Sequence, residues 1–150
     1  QPLIFVDTSK IDKNGEKKLK DSKSIINLAE AETTLEIVDF YQKLGIDGKD
    51  IGIISPYADQ VSLLKNKTDV EVKTVDGFQG REKEIIIIST VRSNDKGKIG
   101  FLSDLRRLNV ALTRAKRKLI IIGNKETLKT NPTYERLIEY ANENKRIVTM

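Results

Sequence analysis

The sequence predicts an α/β domain, a parallel sheet with helices on both faces. Three observations lead there. The apolar segments LIFVD, IGIIS, EIIIIST and KLIIIGN run continuously instead of alternating with polar residues, as strands covered on both sides do. Between them lie stretches whose apolar residues recur three and four positions apart, the period of a helix. Glycines and hydrogen-bonding residues cluster just beyond strands, where sheets of this class gather ligands.

Each element has its own reason. Residues 3–7 form a short apolar run closed by an acid. Residues 8–24 are polar, lysine-rich and without period, and read as a surface loop within a single domain spanning 1–150. Asn27 and Glu30 have the spacing of a capping box, and Leu28, Ala31, Leu35 and Val38 then repeat helically until Gly45 stops the helix. Residues 51–55 form a second strand, broken by Pro56, and a short helix carries Val61 and Leu64. Residues 70–74 and 84–90 are the third and fourth strands. The segment between them is short for a parallel crossover, so those two strands need not be neighbours. Asp104 or Ser103 caps a helix bearing Leu105, Leu108 and Leu112, and residues 118–124 are a fifth buried strand. Asn131 and Pro132 make a cap and first turn for a helix striped by Tyr134, Leu137, Ile138 and Ala141, and RIVTM can add an edge strand.

Composition removes several chemistries. The chain has 150 residues, no cysteine and no histidine, which excludes disulfides, Cys/His zinc sites, histidine bases and cysteine nucleophiles. Net charge is +5 and charged residues reach 33%, a balance that favours polyanionic partners. No apolar run has membrane-spanning length, so no membrane partner is expected, and a cytoplasmic setting is the default. The chain opens on Gln1, and it is expected to be a piece of a longer protein.

Two groups of residues look chemical. The first is the polar rim that follows the strands: Pro56, Tyr57 and Gln60, then VDGFQGRE (75–82), then Arg92, Ser93 and Asn94. Its glycines allow a close backbone approach, Thr74 with the amides after it suits a phosphate, and Glu82 suits a ribose hydroxyl. A solvated glycine turn is the plainer reading of the same residues. The second group is LRRLNVALTRAKRK (105–118). If that helix continues through Arg114, then Arg107 and Arg114 share a face with Ala111 between them and could grip a polyphosphate. The plainer reading makes the basic residues partners of the helix C-terminal dipole. The phosphate cradle G-x-x-x-x-G-K-[S/T] is missing: Gly48-Lys49 is followed by Asp50 and lacks the earlier glycine.

The runs SIINLAEA (24–31), IGIISPYADQ (51–60), VKTVDGFQGREKEIIIISTVRSN (72–94) and GFLSDLRRLNVALTRAKRKLIIIGN (100–124) resemble successive motifs of superfamily 1B helicases. The branch is that of the up-frameshift, immunoglobulin-mu-binding and senataxin-type helicases with their archaeal relatives. The resemblance covers nearly the whole chain, weakest in the lysine-rich insert. It implies the second RecA-like domain of such an enzyme, a P-loop NTPase-type fold without its own P-loop. It implies ATP with Mg2+, bound mainly by the first RecA-like domain, and 5′-to-3′ movement along single-stranded DNA or RNA.

By position, Arg114 resembles the catalytic arginine finger. Glu82, Gly80, Gln79 and Arg107 resemble nucleotide-side residues, with Glu82 meeting the ribose. Ser55, Pro56, Tyr57, Thr74 and Val75 resemble the single-strand contacts, and Gln60 resembles a structural polar residue. Leu28 stands where some members carry a second arginine that reaches the γ-phosphate, which puts more of that role on Arg114. No protein-held metal is implied, and the isolated chain is not expected to hydrolyse ATP. Two rivals remain: a stand-alone basic nucleic-acid-binding module, and a phosphodiesterase holding magnesium on Asp7, Asp76 and Glu82.

Overall fold

A computed structural model describes residues 2–11, 15–78 and 81–150. The strands are β1 (Leu3–Asp7), β2 (Glu16–Lys18), β3 (Ile25–Asn27), β4 (Ile51–Ile54), β5 (Glu71–Lys73), β6 (Lys83–Ser89), β7 (Ala115–Gly123) and β8 (Ile147–Thr149). The helices are α1 (Leu28–Lys43), α2 (Ala58–Lys65), α3 (Leu105–Leu112), α4 (Lys125–Leu128) and α5 (Pro132–Glu143). Six strands make one sheet in the order β5-β4-β6-β7-β1-β8, and every neighbouring pair is parallel.

Strand residues alternate between two apolar layers. Phe5, Ile86, Ile88, Leu119 and Ile121 face α3 and α5, where Leu108, Ala111, Tyr134 and Ala141 close the layer. Val6, Ile85, Ile87, Ile120 and Ile122 face α1 and α2, which contribute Ala31, Val38, Val61 and Leu64. Covering both faces is why these strands read as unbroken apolar runs. RIVTM supplies the expected edge strand, with Phe5 opposite Ile147.

The short connection between β5 and β6 steps over β4, which lies between them. It descends from the carboxyl end of β5 to the amino end of β6. Its first turn is a 3-10 helix, Val75–Phe78, and Phe78 is fully buried. Gly52 makes that burial possible, since a Cβ there would stand 2.8 Å from Phe78 Cζ and 3.0 Å from Ile86 Cδ1.

Two expectations need correcting. Residues 8–24 are not simply a loop: β2 pairs antiparallel with β3, Glu16 opposite Asn27. Strands of three residues are too short to display a period. The third helix also stops earlier than expected. Thr113 is its C-cap, the Thr113 hydroxyl donates to the Val110 carbonyl at 2.9 Å, and β7 begins at Ala115 instead of residue 118. Pairing decides this, because the Lys83 amide donates to the Arg114 carbonyl at 2.9 Å and Lys83 lies opposite Ala115.

Candidate functional site on two edges of the sheet

The residues singled out from the sequence fall on opposite ends of the sheet. Ser55, Pro56 and Tyr57 follow β4, and Thr74 and Val75 follow β5, so all five stand at the carboxyl end. Glu82 immediately precedes β6 and Arg114 immediately precedes β7, so both stand at the amino end. Gln79 and Gly80 lie outside the described residues.

At the carboxyl end a cavity opens between the sheet and α3. Pro56, Thr74, Val75, Phe101, Asp104 and Arg107 stand around it, over a floor that includes Ile54, Ile88 and Leu108. Pro56 and Thr74 are partly exposed, whereas Ser55, Tyr57 and Val75 are buried. Among the described residues the Ser55 hydroxyl makes no hydrogen bond. The Tyr57 hydroxyl accepts from Arg92 Nη1 at 3.2 Å, and the Arg92 Nε donates to Glu16 at 3.0 Å.

Arg107, grouped by the resemblance with the nucleotide-side residues Glu82, Gln79 and Gly80, stands at this carboxyl end and not beside Glu82. It lies in the first turn of α3, 3.5 Å from the Asp76 carboxylate and 3.6 Å from that of Asp104. Since α3 ends at Leu112 and Arg114 lies beyond its C-cap, Arg107 and Arg114 do not share one helical face.

The amino end is built around backbone carbonyls. Arg114 Nε donates to the Val110 carbonyl, Nη1 to the Arg81 carbonyl and Nη2 to the Thr113 hydroxyl, each at 3.2 Å. A guanidinium has five N–H groups, so among the described residues one remains without a partner on each terminal nitrogen. The bond to Arg81 fixes Arg114 beside Glu82, which is exposed and has no protein partner among the described residues. Arg81 itself pairs with Glu71 and lies 5.5 Å over the Phe78 ring. Lys83 sits 3.3 Å from Glu71 as well. Burial alone would raise the Glu71 carboxyl, but these two cations outweigh it and hold it below its ordinary range.

Asn27 caps α1 as expected, its side chain accepting from the Glu30 amide at 3.0 Å. The reciprocal half of the capping box is replaced. Gln60 Oε1 takes the Asn27 amide at 2.9 Å, and Gln60 Nε2 donates back to the Asn27 carbonyl at 3.0 Å. The Glu30 carboxylate, fully buried, accepts instead from the Ser89 hydroxyl at 2.8 Å and the Val91 amide at 2.9 Å. Asn27 Nδ2 donates to the Val91 carbonyl at 2.9 Å. Val91 is buried at φ 70°, a conformation that a β-branched residue rarely adopts, and these bonds hold it there. Burial pushes the Glu30 carboxyl up to about 8, against the lowering effect of its donors.

Leu28, half-exposed, opens α1 at the carboxyl end, so it shares no edge with Arg114. The acids considered for a metal are apart too. Asp7 ends one strand, Asp76 follows another and Glu82 precedes a third, and Asp7 is occupied by the Ser9 amide and hydroxyl, both at 3.0 Å. Among the described residues no group of three acidic, histidine or cysteine side chains could hold a metal, and no helix is long and apolar enough to cross a membrane.

Sequence reasoning missed Phe101. It is 61% exposed at the rim, its ring 5.5 Å from that of Tyr57. A bulky apolar residue directly after Gly100, ahead of the Asp104 helix cap, was the available signal.

A six-stranded parallel sheet with both faces covered and a connection that steps over β4 is the frame of a RecA-like domain. Comparison with known proteins agrees. The model of the AAA domain family matches residues 1–126, and the chain belongs to that family, as the C-terminal domain of a superfamily 1 helicase. An uncharacterized ATP-dependent helicase of Methanocaldococcus jannaschii is 48% identical over 93% of this chain. A homolog of regulator of nonsense transcripts 1 from Neurospora crassa is 44% identical over 83%, and the human DNA replication ATP-dependent helicase/nuclease DNA2 is 37% identical over 99%. The chain spans only 20%, 12% and 14% of these relatives' lengths. Among solved structures, the C-terminal domain of a possible DNA helicase from Lactobacillus plantarum matches with TM-score 0.51 at 10% identity, covering 99% of this chain and 84% of that one, which speaks to the fold alone.

Proposed function

We propose that this chain is the second motor domain of an ATP-dependent helicase and works through its two edges. The amino end closes an ATP site whose phosphate cradle and Mg2+ lie mainly on the first RecA-like domain. Arg114 is the arginine finger there. Glu82 meets the ribose, with Gln79 and Gly80 shaping the loop beside it. The carboxyl end lies against single-stranded nucleic acid, through Pro56 and Thr74 at the surface and Ser55, Tyr57 and Val75 behind them. Arg107 borders the inter-domain cleft on that side. Movement is 5′ to 3′, in a cytoplasmic setting.

The observation that carries this reading is the placement of Arg114. Its guanidinium is fixed by Val110, Arg81 and Thr113 next to Glu82, with N–H groups that no described residue accepts. A cation held in advance beside a transferring phosphoryl group stabilises charge that develops only in the transition state. The chemistry of this edge also fits a shared site: it offers cations and the exposed Glu82 carboxylate, while Glu71 is taken up by Arg81 and Lys83, and nothing among the described residues would wrap a triphosphate.

The test is single-strand-stimulated ATP hydrolysis by the parent protein carrying Arg114→Ala, with ATP affinity measured alongside. Hydrolysis is expected to fall by roughly a thousandfold or more while ATP binding is largely kept. Unchanged hydrolysis would reduce Arg114 to a helix-end cation and the chain to a basic binding module.

A further inference from the structure

We propose that the β2–β3 hairpin is an accessory arm that binds the phosphates of the single strand and lengthens its track along the carboxyl edge. This rests on the nucleic-acid reading above and goes beyond it, since none of the motif positions lies on the hairpin's lysines.

Charge is concentrated there. Residues 8–24 hold six lysines against three acids, +3 of the chain's +5. Lys17, Lys18, Lys20 and Lys23 are all exposed, and among the described residues none of the four is paired with a carboxylate. Unpaired ammonium groups are free to displace counterions from a phosphate backbone.

Position is fixed from both flanks. On one side Glu16 accepts from the Ser93 amide at 2.8 Å, from Asn94 Nδ2 at 2.7 Å and from Arg92 Nε at 3.0 Å, all on the segment that follows β6. On the other side the Ser22 hydroxyl donates to the Asp59 carboxylate, and the Asp59 amide donates to Ser24 Oγ at 3.1 Å. Asp59 lies in the first turn of α2, directly after Pro56 and Tyr57. The lysines are therefore anchored beside the residues that meet the strand. A pinned arm loses less freedom on binding than a loose one. Ile11 and Leu19 are the exposed large apolar residues of the described part of this segment, against four exposed lysines, so a polyanion suits it better than an apolar partner.

The experiment uses the parent protein with Lys17, Lys18, Lys20 and Lys23 all changed to Ser, and a second variant with all four changed to Arg. Affinity for a labelled oligothymidylate and for an oligouridylate is measured across a salt series. The serine variant is expected to bind more weakly at low salt. Its slope of log K against log salt should flatten by about 0.7 for each phosphate it no longer neutralises, and the arginine variant should keep the wild-type slope. ATP hydrolysis without nucleic acid and the thermal unfolding midpoint should match wild type in both. A serine variant with wild-type affinity and slope would overturn the arm while leaving the nucleic-acid reading intact, and that result together with loss of binding to an acidic protein would point to a protein partner instead. No single-strand affinity in the wild-type parent would overturn the underlying reading and the arm with it.

Discussion

Glu30 occupies a position whose spacing reads as a local cap, and its carboxylate reaches across the fold instead. It holds Val91 in the left-handed region, just ahead of Arg92, Ser93 and Asn94. Its raised pKa has a direct consequence. Between the ordinary carboxyl value of 4.5 and about 8, the unfolded chain has released this proton and the folded chain retains it. The unfolded state then binds fewer protons, so stability falls as pH rises across that window, by about 1.4 kcal/mol per pH unit for one group. The chain has neither histidine nor cysteine, the side chains that ordinarily titrate near neutrality, so the slope should be easy to read. Urea unfolding at several pH values in the upper half of the window should show it in wild type and lose it in Glu30→Gln. Equal slopes in the two proteins would mean that Glu30 ionises in the fold as it does in water.

At the scale of elements, the descent from β5 to β6 depends on one absent methyl group. Gly52→Ala would bring a Cβ to 2.8 Å from Phe78 Cζ, and Phe78 would have to move. Overpacking of this kind costs about 1–3 kcal/mol, measurable as a lower urea midpoint. Phe78 anchors the segment that positions Arg81 and Glu82, so strand-stimulated ATP hydrolysis by the parent protein should fall as well. A Gly52→Ala protein with wild-type stability and hydrolysis would show that the segment is not held from beneath.

Legibility of the sequence also divides by element. Strands β4, β6 and β7 are readable because burial on both faces leaves an apolar run. The hairpin is not, since three residues per strand carry no period. The end of α3 is hard to place because TRAK consists of acceptable helix residues, and what stops the helix is the pairing of Lys83 with Ala115. The role of Glu30 is hidden because Ser89 and Val91 are far away in sequence. Pattern alone singles out Thr74, Glu82 and Arg114, but it does not reveal their separation onto two edges. Residues 75–82 look like one loop in sequence, and only the strand order shows that Val75 and Glu82 stand at opposite ends of the sheet.

As a whole molecule, the domain is a sheet whose two ends offer different chemistry, joined by the connection from β5 to β6 and by α3. Both connections run from the carboxyl end to the amino end, and both are anchored in the same apolar layer through Phe78, Leu108 and Ala111. The two edges thus share one packed layer, which supports the proposed coupling of nucleotide state to strand grip. The most direct test measures two properties of the parent protein in two variants side by side: single-strand affinity, and ATP hydrolysis at saturating strand. Arg114→Ala should lose hydrolysis with affinity for the strand largely kept. Thr74→Ala should lose affinity, and the hydrolysis that remains at saturating strand should stay well above that of Arg114→Ala. If Thr74→Ala leaves both properties at wild-type levels, or if the two variants cannot be told apart, the division of labour between the edges is wrong.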